Sequence, residues 1–260
     1  MKTAVYHFTA TGNSLTTARR IADGLGDCRL IPAVSLIKKA KIIEESEIVG
    51  FVFPVYFSDM PCIMRDLISR MVFTAEKPYI FAVPTCRGHA GACHQRLDQL
   101  LMTRGQKLSL AVNINMPGNS YINEPGVDAK HLAEQDSAVA AVLPLIRARE
   151  TRDYSDTSLI PLARTAYPNN FRGIIAEEDK CTGCGICAEV CPMENIVLRE
   201  NKAVIGDNCS TCLSCFHWCP NEAIWMSRQE NIARRSKYRH PEVKLGDILA
   251  QKQEPVPEEA

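Results

Sequence analysis

Two short stretches of this chain share one cysteine pattern. Residues 181–192 read CTGCGICAEVCP, and residues 209–220 read CSTCLSCFHWCP. Adding 28 to the number of each cysteine in the first stretch gives a cysteine in the second, and the proline that follows is also repeated. Glu194 and Ile196 likewise recur as Glu222 and Ile224. The agreement beyond the cysteines indicates that one structural unit has been duplicated.

The spacing C-x-x-C-x-x-C-x-x-x-C-P is typical of iron–sulfur proteins. Three cysteines in step let a tight loop wrap one face of a cubane cluster, with backbone N–H groups directed at its sulfides. Zinc also binds paired C-x-x-C motifs, but its four ligands would leave the third cysteine and the C-P without a role. Eight of the 12 cysteines lie in these two stretches. We therefore predict two 4Fe-4S clusters.

The paired motif resembles that of bacterial-type ferredoxins with two 4Fe-4S clusters, in which the fourth cysteine of each motif binds the other cluster. The resemblance implies a small α+β ferredoxin-like domain over residues 171–226. It also implies two ligand sets, which are Cys181, Cys184, Cys187 and Cys219 for the first cluster, and Cys209, Cys212, Cys215 and Cys191 for the second. His217 and Trp218 lie between two ligands, where they either tune the second cluster or only pack over it.

The chain before the cysteines alternates apolar runs with amphipathic stretches. Five apolar runs predict strands over residues 3–8, 28–32, 48–53, 79–84 and 108–115. Four stretches with helical periodicity lie between or after them, over residues 14–24, 61–71, 92–104 and 127–149. Strands that alternate with helices form a parallel sheet with both faces covered. We therefore predict an α/β domain over residues 1–150.

A polar loop, Thr9-Ala10-Thr11-Gly12-Asn13-Ser14, separates the first predicted strand from the first predicted helix. Hydroxyl groups and free N–H groups at a helix N-terminus form an anion site. The loop has neither the G-K-[ST] of a Walker loop nor the G-x-G-x-x-G of a dinucleotide site, so it suits a monophosphate better than a triphosphate. The alternative is a helix cap that binds no ligand.

The same loop resembles the FMN phosphate loop of flavodoxins, T-x-T-G-N-[ST]. The resemblance implies a flavodoxin-like, five-stranded parallel sheet of order 2-1-3-4-5, with FMN beyond the carboxyl ends of the strands. Tyr56 or Phe57 would stack on the flavin, and glycines would allow its close approach. Further contacts are expected from Pro54, Val55, Tyr56 and Phe57 after the third strand, from Thr85, Gly88 and Gly91 after the fourth, and from residues 116–119 as another wall. The alternative is that the aromatics belong to the core and the loops are ordinary turns.

The remaining segments carry weaker signals. Residues 151–170 have little periodicity and are predicted to be a connector. Residues 227–260 form a tail that begins with basic residues and ends in a frayed acidic stretch. The basic residues are Arg228, Arg234, Arg235, Lys237 and Arg239.

Four cysteines lie outside the repeats. Cys28 and Cys62 are expected to be buried small apolar residues. Cys86 and Cys93 share one predicted loop region with two histidines, but no further ligand is evident nearby, so we do not expect a metal site there.

Composition and charge exclude several classes of protein. Thirty Lys and Arg balance 30 Asp and Glu, so the basic excess that nucleic acid or a membrane surface calls for is absent. The longest apolar run, residues 48–57, is about half the roughly 20 residues of a membrane helix. The chain turns polar after Phe8, unlike a signal peptide, which favours a cytoplasmic location. Residues 151–225 hold 6 Lys and Arg against 10 Asp and Glu, which favours a partner with a basic face.

The order of the two domains resembles that of flavodoxin/ferredoxin fusion proteins. This resemblance implies intracellular electron transfer among FMN, two 4Fe-4S clusters and partner redox proteins. One alternative is a flavoenzyme that reduces a small organic substrate at FMN, with Tyr56 or His89 as proton donor. Another is a domain that has lost FMN and only docks a partner, with its pocket closed by Phe57 or the tail. No second nucleotide-binding domain is evident, so direct oxidation of NADPH is not expected. No sequence feature bears on the oligomeric state.

Overall fold

The computed structural model describes residues 2–119, 125–158, 160, 174–226 and 236–253. The first part of the chain contains the strands β1 (Thr3–His7), β2 (Cys28–Pro32), β3 (Ile42–Glu44), β4 (Ile48–Val52), β5 (Met71–Phe73), β6 (Tyr79–Ala82), β7 (Thr85–Cys86), β8 (Leu110–Ala111) and β9 (Ile114–Asn115). Its helices are α1 (Asn13–Leu25), α2 (Cys62–Ser69), α3 (Cys93–Met102) and α4 (Pro125–Arg147), with a 3₁₀ turn at Ala33–Leu36.

Five of these strands form one sheet of order β2-β1-β4-β6-β8. Every neighbouring pair in this sheet is parallel. When only these five strands are numbered in chain order, the sheet reads 2-1-3-4-5, which is the flavodoxin-like order. The predicted fold of the first domain is therefore confirmed.

The two faces of the sheet bury different helices. Within each strand, successive residues point to opposite faces of the sheet, as strand geometry requires. Tyr6 and Phe51 pack in one cluster with apolar residues of α2 and α3, whereas Val5 and Val52 pack in another with α1 and α4. Each fully buried side chain of this kind contributes about 1.5–3 kcal/mol to folding. The alternation explains why the sequence carries near-continuous apolar runs at the strands.

The strands differ from the predicted bounds mainly at the carboxyl edge of the sheet. The run 79–84 ends as β6 at Ala82, since Pro84 has no N–H to donate, and resumes as β7. The run 108–115 is split into β8 and β9, and β9 pairs with β7 in a separate two-stranded sheet. A further short pair, β3 with β5, was not predicted because three-residue strands are too short to show a pattern.

The cysteine-rich part is a small α+β domain, as predicted. Its elements are β10 (Ile174–Ala176), α5 (Ile186–Glu189), β11 (Ile196–Arg199), β12 (Lys202–Ile205), α6 (Ser214–Trp218) and β13 (Ile224–Met226). β10 pairs with β13 and β11 with β12, both antiparallel. The starts of α5 and α6, and of β11 and β13, are each separated by 28 residues, so the duplicated sequence adopts a duplicated structure. We call residues 174–226 the ferredoxin-like domain.

The segments outside the two domains pack against them. In the predicted connector, the Arg152 N–H donates to Ser109 O at 2.8 Å, and the Tyr154 hydroxyl lies buried against Ala111. Residues 236–253, which we call the C-terminal segment, contain α7 (Leu245–Ala250). The predicted boundary at residue 171, the arginines at 228, 234 and 235, and the acidic residues from 254 onward lie outside the described residues. Within the described ranges, no helix is both long and apolar enough to span a membrane.

Candidate cofactor sites

One cavity of the ferredoxin-like domain is lined by four cysteines. We call it the first cysteine cavity, and its cysteines are Cys181, Cys184, Cys187 and Cys219. Three come from the first repeat and the fourth from the end of the second repeat. The remaining wall is largely apolar, with Leu198 and Ile224 among its residues. This is the set of side chains that the resemblance to two-cluster ferredoxins implied.

The second cysteine cavity has the complementary composition. It is lined by Cys191, Cys209, Cys212 and Cys215 together with apolar residues that include Ile174, Ile196 and Leu213. Four cysteines line each of the two cavities. Such an all-cysteine set is the donor set of a 4Fe-4S cluster, while the ligand sets themselves stay predictions.

The loops of both cavities use left-handed backbone at matching positions. Gly183 and Gly185 have φ of 72° and 81°, and Thr211 and Leu213, which follow them by 28 residues, have φ of 56° and 61°. A Cβ atom on Gly183 would collide with the backbone oxygen of Asn201, so only glycine fits there. In the second loop the left-handed conformation costs about 1–2 kcal/mol per residue. The duplication thus preserved the loop conformation where it did not preserve the glycines.

Backbone N–H groups approach several of the cysteine sulfurs. Asn195 N–H donates to Cys191 Sγ at 3.4 Å, and Ala223 N–H, at the corresponding position, donates to Cys219 Sγ at 3.3 Å. Such bonds stabilise thiolate ligands of iron–sulfur clusters. Burial raises the pKa of the Cys187 thiol to about 11 and that of Cys212 to about 12. Thiolates in these cavities therefore require the positive charge that a bound metal supplies.

A third and much larger cavity of about 570 Å³ lies at the carboxyl edge of the main sheet. We call it the large cavity. Most of the residues predicted to contact FMN line it, namely Thr9, Ala10, Thr11, Asn13, Ser14, Pro54, Val55, Tyr56, Phe57, Thr85 and Gly88, with residues 116–119 as the expected further wall. Its volume is within the roughly 300–1,000 Å³ of cavities that hold small ligands.

Two predicted contacts, Gly12 and Gly91, lie behind this wall instead. A Cβ atom on Gly12 would come within 2.7 Å of His240 Cβ, and one on Gly91 would collide with Ser58. Both glycines have positive φ. They are needed for the packing of the loops rather than for an approach to the ligand, a distinction that sequence alone cannot make.

The loop at residues 9–14 has an arrangement that suits an anion. Helix α1 begins at Asn13 without a side-chain cap, so the N–H groups of its first turn have no partner within the helix. The carbonyls of Ala10 and Thr11 are turned outward, where they accept hydrogen bonds from Trp218 Nε1 at 2.9 Å and His240 N at 2.7 Å. Because C=O and N–H point in opposite directions in a trans peptide, Thr11 N–H and Gly12 N–H point away from Trp218 and His240, and Gly12 N–H donates to Thr9 Oγ1 at 2.9 Å.

Loop side chains hold the same arrangement in place. Asn13 Nδ2 donates to Pro117 O at 2.8 Å, and the Tyr238 hydroxyl donates to Asn13 Oδ1 at 2.6 Å. Ser14 Oγ and Thr85 Oγ1 are 2.8 Å apart and share a hydrogen bond. The loop therefore has its shape fixed before any ligand binds, which lowers the entropic cost of binding.

The aromatic wall of the large cavity is formed by a tight turn. Tyr56 and Asp59 exchange backbone hydrogen bonds of 2.9 and 3.0 Å across Phe57 and Ser58, whose φ angles are 52° and 62°. This is a two-residue turn with φ above zero at both central positions. The buried Asp59 carboxylate, paired with Arg96 at 2.6 Å, anchors the turn. Burial raises the pKa of Asp59, with Arg96 opposing the effect.

Several lining residues escaped prediction because they come from distant segments. Val127 belongs to α4, and Thr211 belongs to the loop of the second cysteine cavity. Thr211 shows that the ferredoxin-like domain forms part of the wall of the large cavity. Trp218 Nε1 donates to Ala10 O in the loop at residues 9–14, and His217 Nε2 is hydrogen-bonded to Asn119 O at 2.6 Å. Both side chains thus connect the domains, a role that neither sequence interpretation had considered.

The four remaining cysteines are thiols in ordinary surroundings. Cys28 and Cys62 are half-buried, so the expectation that both are buried is wrong, since each lies at an end of its element near the surface. Cys86 and Cys93 are buried, and burial raises the pKa of both. His94 Nε2 bonds Asn113 Oδ1 at 2.8 Å.

Comparison with known proteins relates the ferredoxin-like domain to a family. Residues 173–237 match the model of the 4Fe-4S dicluster domain. The ferredoxin of Methanothermococcus thermolithotrophicus is 36% identical over 55 residues, which are 20% of this chain and 92% of that protein. Ferredoxin-2 of Desulfomicrobium norvegicum (strain DSM 1741 / NCIMB 8310) is 52% identical over 31 residues, which are 12% of this chain and 52% of that protein.

Solved structures align with the first part of the chain. A flavodoxin from the domain Archaea aligns over 56% of this chain and 99% of its own, at 13% identity and a TM-score of 0.36. An FMN-dependent NADH-azoreductase from Bacillus anthracis str. Ames Ancestor, in complex with FMN, aligns over 55% and 100%, at 9% identity and a TM-score of 0.38. The fold of this domain rests on the strand order described above.

Proposed function

Since the chain belongs to the 4Fe-4S dicluster domain family through residues 173–237, we propose that it transfers electrons between two 4Fe-4S clusters and an FMN bound in the large cavity. A 4Fe-4S domain joined to a flavodoxin-like domain supports an electron-transfer role as such. The proposal adds the number of clusters, the identity of the flavin and the exchange between them. Redox proteins that dock on the chain would be the external donors or acceptors.

One observation carries the proposal. Thr211, from the loop of the second cysteine cavity, lines the same cavity as the loop at residues 9–14. A cluster in the second cysteine cavity and a flavin in the large cavity would therefore be separated by the wall to which Thr211 belongs. FMN accepts electrons singly or in pairs, whereas a cluster passes one at a time, so the pair would connect two-electron with one-electron chemistry.

The residues of the large cavity would bind and orient FMN in defined ways. The uncapped N-terminus of α1 and the outward-turned carbonyls of the loop favour a phosphate. Tyr56 offers a buried aromatic face with its hydroxyl held by Asn119 Nδ2 at 3.4 Å. Arg87 and His89 also line the cavity.

A second candidate function is reduction of a small organic substrate at the flavin. His89 favours it, because this residue lines the large cavity and is exposed to solvent, as a proton donor to an entering substrate must be. Tyr56 is the weaker donor, since its hydroxyl is buried. The docking-only alternative required a cavity closed by Phe57 or the tail, and an open cavity of about 570 Å³ does not support that alternative.

Cofactor analysis of the full chain tests the proposal. Purification without oxygen should give about eight irons, about eight sulfides and, after reconstitution, one FMN per chain. Thr11→Glu would place a carboxylate in the phosphate loop and should abolish FMN binding while iron stays unchanged. Thr103→Glu, on an exposed turn after α3, is the matched control. Zinc in place of iron, or no FMN bound after reconstitution, would overturn the proposal.

A further inference from the structure

Asn119 lies between the large cavity and the second cysteine cavity. Its side-chain nitrogen Nδ2 donates to the Tyr56 hydroxyl at 3.4 Å and to the Cys212 carbonyl at 3.3 Å. A carbonyl can only accept, so the orientation of this amide is fixed by the Cys212 bond. The two N–H groups of one amide therefore connect the aromatic wall of the large cavity with a cysteine loop.

The backbone of Asn119 is held from the cysteine side as well. His217 Nδ1 accepts a hydrogen bond from Tyr238 N–H at 3.0 Å, so the ring proton resides on Nε2. Nε2 then donates to Asn119 O at 2.6 Å. His217 itself is fully buried. The Asn119 backbone carbonyl is thus hydrogen-bonded to helix α6, and its side-chain amide is hydrogen-bonded to the loop that precedes this helix.

Apolar packing follows the same route. Cys212 is 6% exposed and belongs to the apolar cluster of the flavodoxin-like domain as well as lining the second cysteine cavity. Phe57, from the turn at the large cavity, packs against both that cluster and the core of the ferredoxin-like domain. The second cysteine cavity is therefore continuous with the flavodoxin-like domain through the buried Cys212 and the half-buried Phe57.

The loop of the first cysteine cavity has different contacts. Each ligand set has one exposed cysteine, Cys184 in the first and Cys209 in the second, but in the first set Cys181 is half-buried as well. Its loop packs against Asn201 and Leu198, which belong to the β11–β12 hairpin of the ferredoxin-like domain. Leu198 is 42% exposed. This cavity is therefore reached from solvent through its own loop.

From these contacts we propose a fixed order of electron transfer, which rests on the proposed function. The cluster held by Cys191, Cys209, Cys212 and Cys215 exchanges electrons with FMN, and Asn119 is the positioning residue that joins the two sites. The cluster held by Cys181, Cys184, Cys187 and Cys219 exchanges electrons with an external partner protein, and we call it the port cluster. In the reducing direction, a low-potential one-electron donor protein reduces the port cluster. That cluster is reoxidised as the second cluster is reduced, and the second is reoxidised as FMN is reduced. Two such rounds, with protons from water, complete the reduction.

Removing one cluster at a time tests the order. Cys184→Ala and Cys212→Ala should each leave about four irons per chain. Iron analysis shows whether each variant has kept one cluster and can be used in the test. Each protein is reduced with dithionite and examined by electron paramagnetic resonance before and after loading with FMN. The cluster signal that remains in Cys184→Ala should change on FMN loading, and the signal that remains in Cys212→Ala should not.

The outcomes separate this inference from the proposed function. A wild-type chain without FMN or without iron would refute the proposed function itself. If both cofactors bind but the signal of Cys212→Ala is the one that responds to FMN, or if neither responds, the proposed order is wrong. If either alanine variant loses all iron, the Cys→Ser variants at the same positions replace the pair.

Asn119→Leu tests the positioning residue, because leucine keeps the size of the side chain and removes both donors. Flavin reduction in a single turnover with reduced clusters should slow by about tenfold or more, and the response of the cluster signal to FMN should weaken. Asn119→Asp, which also lacks the N–H donors, is the second variant should the first fail to load. Asn113→Leu, on the exposed loop between β8 and β9, is the control. Reduction by Asn119→Leu at the wild-type rate would refute the role of this residue.

Discussion

The two cysteine loops have the same spacing and the same backbone conformation, yet they lie in opposite surroundings. The first loop achieves positive φ with Gly183 and Gly185, and its Cys184 is exposed. The second achieves it with Thr211 and Leu213, both buried, one lining the large cavity and the other a core residue of its domain. Duplication therefore conserved the geometry that binds a cluster, while the side chains of one copy were adapted to contact a second domain.

The largest contrast is expected when both loops receive the same residue. Gly183→Val would force a Cβ atom against the Asn201 backbone, and the loop would have to move. Iron should fall from about eight to about four per chain as the first cluster is lost. Thr211 is the matching residue in the second loop and already has a branched Cβ, so Thr211→Val should keep all its iron. Equal iron loss in the two variants would show that the loops are not distinguished by packing.

A smaller effect is expected at Leu213, a core residue at the position that corresponds to Gly185 in the first loop. Leu213 is 2% exposed, so Leu213→Gly removes burial that contributes several kcal/mol and relieves about 1 kcal/mol of left-handed strain. The added freedom of glycine in the unfolded chain offsets most of this relief, so the net loss of stability should be about 2–5 kcal/mol, which would lower the apparent midpoint of anaerobic thermal unfolding by roughly 4–20 °C. Gly185→Ala is the matched change in the first loop, where a Cβ atom has room but the φ of 81° costs about 1 kcal/mol, so the loss of stability should be smaller. A Leu213→Gly protein as stable as the wild type would contradict the assigned core role.

The next contrast concerns the residues just before the last cysteine of each repeat. Trp218 donates to Ala10 O, whereas its counterpart Val190 cannot. Trp218→Phe keeps the aromatic packing but removes the shorter of two side-chain hydrogen bonds to the Ala10 carbonyl, which then keeps only Ser214 Oγ at 3.4 Å, at a cost of about 1–1.5 kcal/mol. FMN should bind about tenfold more weakly in a fluorescence titration, with iron unchanged. Val190→Ala should leave FMN affinity within about twofold, and equal losses in both variants would argue against orientation of the loop by Trp218.

The smallest effect is expected at Thr211. Thr211→Gly relieves about 1 kcal/mol of left-handed strain, but the added freedom of the unfolded chain costs about 0.5–1 kcal/mol. The midpoint of thermal unfolding should therefore move by no more than about 2 °C. A larger rise of the midpoint in Thr211→Gly would mean that Thr211 destabilises the folded protein by more than its left-handed backbone conformation accounts for.

Sequence was sufficient for the features that depend on neighbours in the chain. The alternation of strands and helices predicted a parallel sheet with both faces covered, and the cysteine repeat predicted a duplicated unit, because both patterns are set by local periodicity and spacing. The strand order and the α+β ferredoxin-like domain were implied by the resemblances to flavodoxins and to two-cluster ferredoxins. The loop at residues 9–14 could be placed at the edge of the sheet for the same reason. The ligand sets for FMN and for each cluster remain predictions that cofactor analysis can test.

Contacts between distant segments could not be predicted. The large cavity and the loop at residues 9–14 are contacted by residues about 200 or more positions later in the chain, namely Thr211, Trp218 and Gln251. Hydrophobic periodicity carries no information on contacts between segments so far apart. Left-handed Thr211 and Leu213 were also invisible, since sequence signals for positive φ rest on glycine and asparagine. For Gly12 and Gly91, sequence did not reveal the packing against neighbouring loops, because a glycine that admits a ligand and one that admits a neighbouring loop look alike.

The C-terminal segment has a consequence for the synthesis of the protein. Gln251 bonds both backbone groups of Thr9, with Thr9 N–H donating to Oε1 at 3.1 Å and Nε2 donating to Thr9 O at 3.0 Å. These partners are 242 residues apart. The sheet and its helices can form on the ribosome, but the loop at residues 9–14 cannot acquire its final support until residue 251 has been translated. The loop at residues 9–14 is synthesised early, yet it is thus among the last parts of the chain to gain all its hydrogen-bond partners.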